Sequence, residues 1–267
     1  MRILADYRVN REMQRPAKPA TAEVTRDRSL ATKLLNAGGP VLSEWQARPA
    51  LAAYGITGGE AGQLVHSAAE AETAARAYVG AVALKVQSAD IPHKTEAGGV
   101  MLNVTGEQAR AAYEYVLASA KKHSPQARID GVLVQPMAPP GREVILGVNR
   151  DPTWGPLLMV GLGGVLVEAL GDVALAPVPL DRAGAAALLG RLKGAAIFGP
   201  YRGMPAADTE ALIDVIVQLS QFAANHADDI VEIDLKPVIM HAKGQGISIV
   251  DALIVKQTRQ PQRSAAE

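Results

Sequence analysis

Four short apolar runs follow one another between residues 129 and 180: IDGVLVQPM (129–137), REVILGVNRD (142–151), PLLMVGLGG (156–164) and GDVALAPVPL (171–180). Runs of this length, rich in Val, Ile and Leu and bounded by Gly, Pro, Asn and Asp, read as β-strands. Their connections are short turns, with no room for the crossover helix that a parallel pair needs, so neighbouring strands should run antiparallel. Helical spacing follows at 181–192 and 207–226, with Asp181 and Asp208 or Thr209 as caps and Leu212, Ile216 and Leu219 forming an apolar stripe. Two more strands, 228–240 and 246–256, close the chain around the polar turn HAKGQG.

The first half alternates instead. Gly38-Gly39-Pro40 leads to Ser43, which can cap a helix with Gln46 in the reciprocal capping-box position, and Pro49 should kink that helix. Residues 67–78 form a second helix capped by Ser67; a strand at 81–86, a glycine-ended loop, a strand at 100–104 and a helix at 106–122 follow. Alternation here and successive strands later describe an α/β (α+β) chain. Residues 1–38, with scattered charge, Pro16, Pro19 and little periodicity, read as a flexible leader or linker; 39–257 reads as one domain with a smaller lobe within about 56–137, and 258–267 as a tail.

Chemistry is most visible in VALKVQSADIPHKTEAGGV, residues 82–100. Lys85 lies inside a buried-strand pattern, where an ammonium needs a negative partner, and a nucleotide phosphate is one. His93 and Lys94 add a titratable ring and a second cation, and Gly98-Gly99 lets backbone N–H groups approach an anion closely. A hairpin carrying a snorkelling lysine has the same pattern. GLGG at 161–164 could admit a phosphate through Gly163 and Gly164 or simply allow a tight strand exit; it is not a P-loop, because no Gly-Lys-Ser/Thr follows.

Two acids sit in the last apolar runs, Asp234 within VEIDL and Asp251 after ISIV. If those strands pair as a hairpin, the two carboxylates converge, and converging oxygens near phosphates suit Mg²⁺, a hard cation that takes one or two carboxylates plus phosphate and water. The alternative places Glu232 and Asp234 on a solvated strand face.

Composition narrows the partners. The 267 residues are 48% hydrophobic and carry 27 basic and 27 acidic side chains, so no global field favours nucleic acid or an anionic membrane. The absence of cysteine removes thiolate metal sites and cysteine nucleophiles and fits a reducing cytoplasm. No apolar run reaches membrane-spanning length, and the basic N-terminus lacks a signal-peptide core.

In order and spacing, VALKVQSADIPHKTEAGGV, GVLVQPM, GREVILGVNRDPTWGP, GLGGVLVEALGDVALAPVPL and EIDLKPVI followed by VDALIV resemble the ATP-grasp domain of NDP-forming acyl-CoA synthetases. The type is that of the ADP-forming acetate-CoA ligase β subunit, related to the succinyl-CoA synthetase β subunit. The resemblance covers about residues 40–257. It implies two lobes with ATP or ADP held between them, and a reaction interconverting acid, CoA and ATP with acyl-CoA, ADP and phosphate. Lys85 matches the strand lysine that contacts the nucleotide. Gln135 and Met137 match the hinge that reads adenine, Glu143 an acid near the sugar, and Asp251 a magnesium ligand. His93 falls where these ligases carry a histidine implicated in moving a phosphoryl group to a partner subunit. Neutral imidazole is nucleophilic near physiological pH, which suits that task. The resemblance further implies a CoA-binding α subunit with a phosphohistidine domain, in a heterotetramer.

Two positions depart from the family pattern. Lys236 stands where the family carries an asparagine that ligates magnesium, and a protonated lysine repels a cation. Pro136 stands where the hinge carries a glutamate, removing an acceptor and a backbone donor. Lys236 also supports a second reading, an ATP-binding regulatory module that has lost turnover; a carboxylate-amine ligase acting alone is a third.

Overall fold

The computed structural model describes residues 27–164 and 171–257; the expected leader up to residue 26 and the tail at 258–267 lie outside the described residues. The chain enters through helix α1 (Arg28–Ala37), the two-residue strand β1 (Val41–Leu42) and helix α2 (Glu44–Ala52). It then builds a separate small lobe from β2 (Gln63–Val65), α3 (Ala68–Ala77), β3 (Val82–Gln87), β4 (Val100–Val104), α4 (Ala109–His123) and β5 (Gly131–Pro136). The chain returns through β6 (Arg142–Asp151), β7 (Gly155–Leu162), β8 (Val173–Pro177), α5 (Arg182–Gly190), α6 (Thr209–Asn225), β9 (Ile230–Met240), β10 (Ile247–Ile249) and β11 (Leu253–Lys256).

The small lobe is a four-stranded antiparallel sheet in the order β2-β5-β3-β4. Alanines at 71, 74, 75, 109 and 112 let α3 and α4 pack closely on Val82, Leu84, Val132 and Val134. The opposite face of β3, carrying Ala83, Lys85 and Gln87, is buried as well. In the large lobe the order is β1-β11-β9-β6-β7-β8, with β10 also paired to β9, and every pair is antiparallel as the short turns require. Leu212, Ile216, Leu219 and Phe222 of α6 cover Val144, Leu146, Val160 and Ile233 on one face of this sheet. Asp181 and Asp208 cap α5 and α6 through their carboxylates, accepting from the N–H groups of Gly184 at 2.7 Å and Ala211 at 3.3 Å.

Two expectations are corrected here. Arg28–Ala37 is not part of a loose leader. Ala31 and Leu35 are buried in the large-lobe core, Asp27 caps the helix by accepting from Leu30 N–H at 2.8 Å, and Lys256 Nζ donates to the carbonyls of Leu35 and Gly38 at its far end. Ala31 and Leu35, one turn apart, carry that packing with half-buried Leu34 beside them, too short a stripe to read as periodicity. The final run, expected as one strand at 246–256, divides into β10 and β11, which pair with separate stretches of β9, Val238–Met240 and Ile230–Asp234. Pro237 of β9 lies between those stretches and has no N–H to give the ladder. Asp251 therefore sits in a break between strands, beside Leu253, the cross-strand partner of Asp234.

Candidate functional site

The buried outer face of β3 meets α2 and the Val250–Ala252 break, so the lobes touch through polar groups. Strand alternation brings Lys85 and Gln135 to this face as diagonal neighbours, since Ala83 pairs with Gln135 and Lys85 with Leu133. Lys85, 3% exposed, places Nζ 2.7 Å from Gln135 Oε1, 2.5 Å from the Val250 carbonyl and 3.2 Å from each oxygen of Glu44. Glu44, in the first turn of α2, is 0% exposed and also accepts from Arg48 Nε at 3.0 Å and NH2 at 2.8 Å. Arg48 reaches on to the carbonyls of Ile249 at 2.6 Å and Val250 at 3.2 Å. Burial lowers the pKa of Lys85 and raises that of Glu44, each opposed chiefly by the charge of the other. An ammonium has three N–H donors, and those of Lys85 are engaged within the protein.

Gln87, two residues further along β3, accepts the N–H of Trp45 at 3.0 Å, so the small lobe satisfies a donor in the first turn of α2. Gln46 Oε1 accepts from Ser43 N–H at 3.3 Å, the reciprocal contact of the capping box expected at this helix start.

A second cross-lobe pair lies alongside. Lys94 Nζ stands 2.6 and 2.5 Å from the two oxygens of Asp251, whose Oδ1 also accepts from Ala252 N–H at 2.8 Å. The lysine side chain is 6% exposed and the aspartate 32%. Asp234, half-buried on β9 opposite Gly147, has its pKa raised first by burial and then by the charges of Glu232 and Asp251; Lys236 and His93 oppose this. His93 itself is exposed. Five of the expected residues, Lys85, Gln135, Asp251, Asp234 and His93, thus converge on the lobe junction.

The glycine assignments change. Gly98 N–H donates to Thr95 O at 3.1 Å and Gly99 N–H to Lys94 O at 2.8 Å, so these donors close turns inside the loop and do not form an anion cradle. Gly98 is needed for its φ of +65°, and Gly99 because a Cβ there would fall 2.5 Å from Val86 Cγ1. Gly163 N–H likewise goes to Glu143 O at 2.6 Å, and its missing Cβ admits Glu143, whose Cβ would lie 2.5 Å away. Gly164, at a φ of +96°, has open space where a Cβ would lie. Glu143 is exposed, and no hydrogen bond links it to the Lys85 network among the described residues. Met137 N–H is taken by Ala81 O at 3.1 Å, which removes it as a donor to adenine.

Glu44, Arg48, Gln87 and the Lys94–Asp251 pair were not assigned from sequence. Glu44 and Arg48 stand at i and i+4, the spacing of an ordinary solvated helix pair, and nothing local signals their burial.

As a cation site, the junction offers two carboxylates, Asp251 and Asp234; among the described residues no group of three or more His, Asp or Glu is arranged around a metal position. Their hard oxygens suit a divalent cation, which would offset the burial and the repulsion from Glu232 and Asp251 that raise the Asp234 pKa. It would compete with Lys94 for Asp251. Among the described residues no helix is long and apolar enough to cross a membrane.

A family profile described as an ATP-grasp domain matches residues 33–255. The β subunit of acetate–CoA ligase [ADP-forming] II from Pyrococcus furiosus is 38% identical over 84% of this chain and 94% of its own length. Acetate–CoA ligase [ADP-forming] I from Archaeoglobus fulgidus is 34% identical over 92% of this chain but only 36% of its own, so the chain spans about a third of that relative. A solved structure of Ca. Korarchaeum cryptofilum dinucleotide forming acetyl-coenzyme A synthetase 1, in complex with coenzyme A, Ca-AMPCP and HgCl⁺, superposes with a TM-score of 0.78 at 36% identity, covering 86% of this chain and 99% of that one. Two lobes of antiparallel sheet with a charged junction between them, matched over these lengths, make the chain a member of the ATP-grasp domain family, in the group that contains the β subunits of ADP-forming acetate–CoA ligases.

Proposed function

We propose that this chain is the ATP-binding β subunit of an ADP-forming acyl-CoA synthetase, interconverting acid, CoA and ATP with acyl-CoA, ADP and phosphate. The observation that carries the reading is the lobe junction, where Lys85 and Lys94 of the small lobe meet Glu44, Asp251 and Asp234 of the large lobe in one polar layer. Phosphoryl transfer draws most of its rate from positioning and charge stabilisation, and such a layer supplies both. Lys85 binds a phosphate by exchanging one of its internal contacts for it, and Gln135 keeps the ammonium on the cleft side of β3. Asp251 and Asp234 would hold Mg²⁺, which would supply neutralisation of phosphate charge, and Lys94, paired with Asp251, offers a further cation to the phosphates. His93, exposed and near enough to act on the charge of Asp234, would pass a phosphoryl group between the nucleotide and a phosphohistidine segment of a CoA-binding α subunit. The complex is a heterotetramer in the cytoplasm. Glu143, Gly163 and Gly164 border the nucleotide from the β6–β7 side.

Calorimetric titration with ATP tests this, with and without Mg²⁺, on the wild type and on Lys85→Ala. Micromolar binding lost in the variant supports the reading, as does ADP release dependent on acid and CoA once an α subunit is added. Absence of ATP binding under every condition overturns it. A regulatory module without turnover is the second reading, favoured by Lys236 and by the internal engagement of the Lys85 donors. It predicts ATP binding indifferent to Mg²⁺ and no ADP release with any α subunit.

A further inference from the structure

We propose that Glu44 is a positioning residue for nucleotide binding, compensating the Lys85 charge and fixing its ammonium at the lobe junction. The inference rests on the assignment of Lys85 to the nucleotide site.

Glu44 is the fully buried carboxylate that reaches Lys85 Nζ with both oxygens, and Arg48 anchors it from one helical turn further on. The charged groups acting on Lys85 are Glu44 and Arg48 from α2, Asp251 from the break between β10 and β11, and Lys94 from the loop after β3. Two of the four are cations. Without Glu44 the ammonium would keep, among the described residues, only the carboxylate of Asp251 acting on it, and Asp251 is already bound to Lys94. Burial then favours the neutral amine, the direction in which the Lys85 pKa is already pushed. A neutral amine offers a phosphate no Coulomb attraction, so ATP could bind strongly only by bringing a proton back onto Lys85. Glu44 in place keeps the lysine charged before ATP arrives. It also fixes where the charge sits, because the Val250 carbonyl that Lys85 contacts is held in turn by Arg48.

The test is titration of the full chain with ATP in excess Mg²⁺ between pH 6 and 9, in buffers of differing ionisation enthalpy, for the wild type, Glu44→Gln, Lys85→Met and the double variant. Glutamine preserves shape and an acceptor oxygen but removes the charge. Glu44→Gln is expected to bind ATP like the wild type at the acid end. Its affinity should then fall by up to about tenfold per pH unit above the lysine pKa, with proton uptake on binding that the wild type lacks. In the Lys85→Met background the same change should add neither effect. Glu44→Gln that binds ATP with wild-type affinity and no proton uptake, while Lys85→Met loses binding, overturns the role of Glu44 and leaves the Lys85 assignment standing. Wild-type binding by Lys85→Met refutes that assignment and the inference with it. If Glu44→Gln does not fold, Glu44→Asp keeps the charge but shortens its reach to Lys85; weaker ATP binding is expected there, and wild-type affinity overturns the positioning role.

Discussion

Gly99→Ala tests whether the glycine loop exists to let the chain close onto β3. A Cβ at residue 99 falls 2.5 Å from Val86 Cγ1 and 3.2 Å from the Lys94 carbonyl oxygen. Carbon atoms pack best at about 3.5–4.0 Å, so roughly 1 Å of separation must be found. Val86 cannot easily give it, being fully buried on a central strand with a stiff β-branched side chain, and its N–H is bonded to Gly99 O at 2.8 Å. Overpacking of this kind costs about 1–3 kcal/mol, and each kcal/mol lowers Tm by about 2–4 °C in a chain of this size. Val86→Ala alone leaves a small cavity and costs about 2 kcal/mol. It also removes the atom that the new methyl strikes, so the double variant should be more stable than the sum of the single losses by about 1 kcal/mol or more. Thermal unfolding followed by circular dichroism measures the coupling. ATP titration should follow the same order, because the displaced backbone carries Lys94. Losses that simply add would refute the clash, and loss of ATP binding without loss of stability would restore an anion-binding role for the Gly99 N–H.

Asp234→Asn should stabilise the fold at pH 7 by roughly 1 kcal/mol while weakening metal-dependent ATP binding. Burial raises the Asp234 pKa, so its protonated form contributes stability below the ordinary carboxylate pKa that is lost as pH rises through the raised value; asparagine avoids the cost of ionisation, and a lower urea midpoint at pH 7 would contradict this. His226, hydrogen-bonded to Tyr54 at 3.3 Å, has its pKa lowered by burial and then by Arg28, against Asp229. The unfolded state therefore takes up the proton more readily, and stability should fall as pH drops below about 6.5; in His226→Gln that loss should be smaller, and identical pH profiles in denaturant titrations would rule it out.

The strand-rich half was legible because its β-branched runs are bounded by turn residues, and the helix caps at Asp181 and Asp208 because a carboxylate before an apolar stripe has one common use. Lys85 was legible for a related reason, a charge where the pattern demands none. Its partner was not: Glu44 becomes a buried counter-ion only because α2 of the large lobe packs on β3 of the other, and no local pattern encodes that. Gly98 and Gly99 show a different limit. A left-handed φ, a close approach and an anion cradle all require glycine, and only the destination of each N–H separates them. Asp251 was expected inside a strand because its apolar run is continuous, but the partner strand carries Pro237, so the ladder breaks and the carboxylate turns to Lys94.

Charge balance at the junction determines what Lys236 does to metal dependence. Burial, and then the charges of Glu232 and Asp251, raise the Asp234 pKa, and Lys236 is the largest influence holding it down. An ammonium there performs part of a divalent cation's task, stabilising the ionised carboxylate and attracting phosphate, while repelling the ion itself. Lys236→Asn removes that substitute and supplies an oxygen donor, so ATP binding without metal should weaken and binding with Mg²⁺ should strengthen. The charge on the exposed Lys236 acts on Asp234 largely through solvent, which leaves it worth on the order of 1 kcal/mol. The ratio of ATP dissociation constants without and with Mg²⁺ should therefore rise by up to about tenfold in the calorimeter, since about 1.4 kcal/mol is a factor of ten. An unchanged ratio would mean that Mg²⁺ does not bind at Asp234 and Asp251. The cation accompanying ATP would then be held by its phosphates alone, with Lys94 remaining on Asp251 throughout.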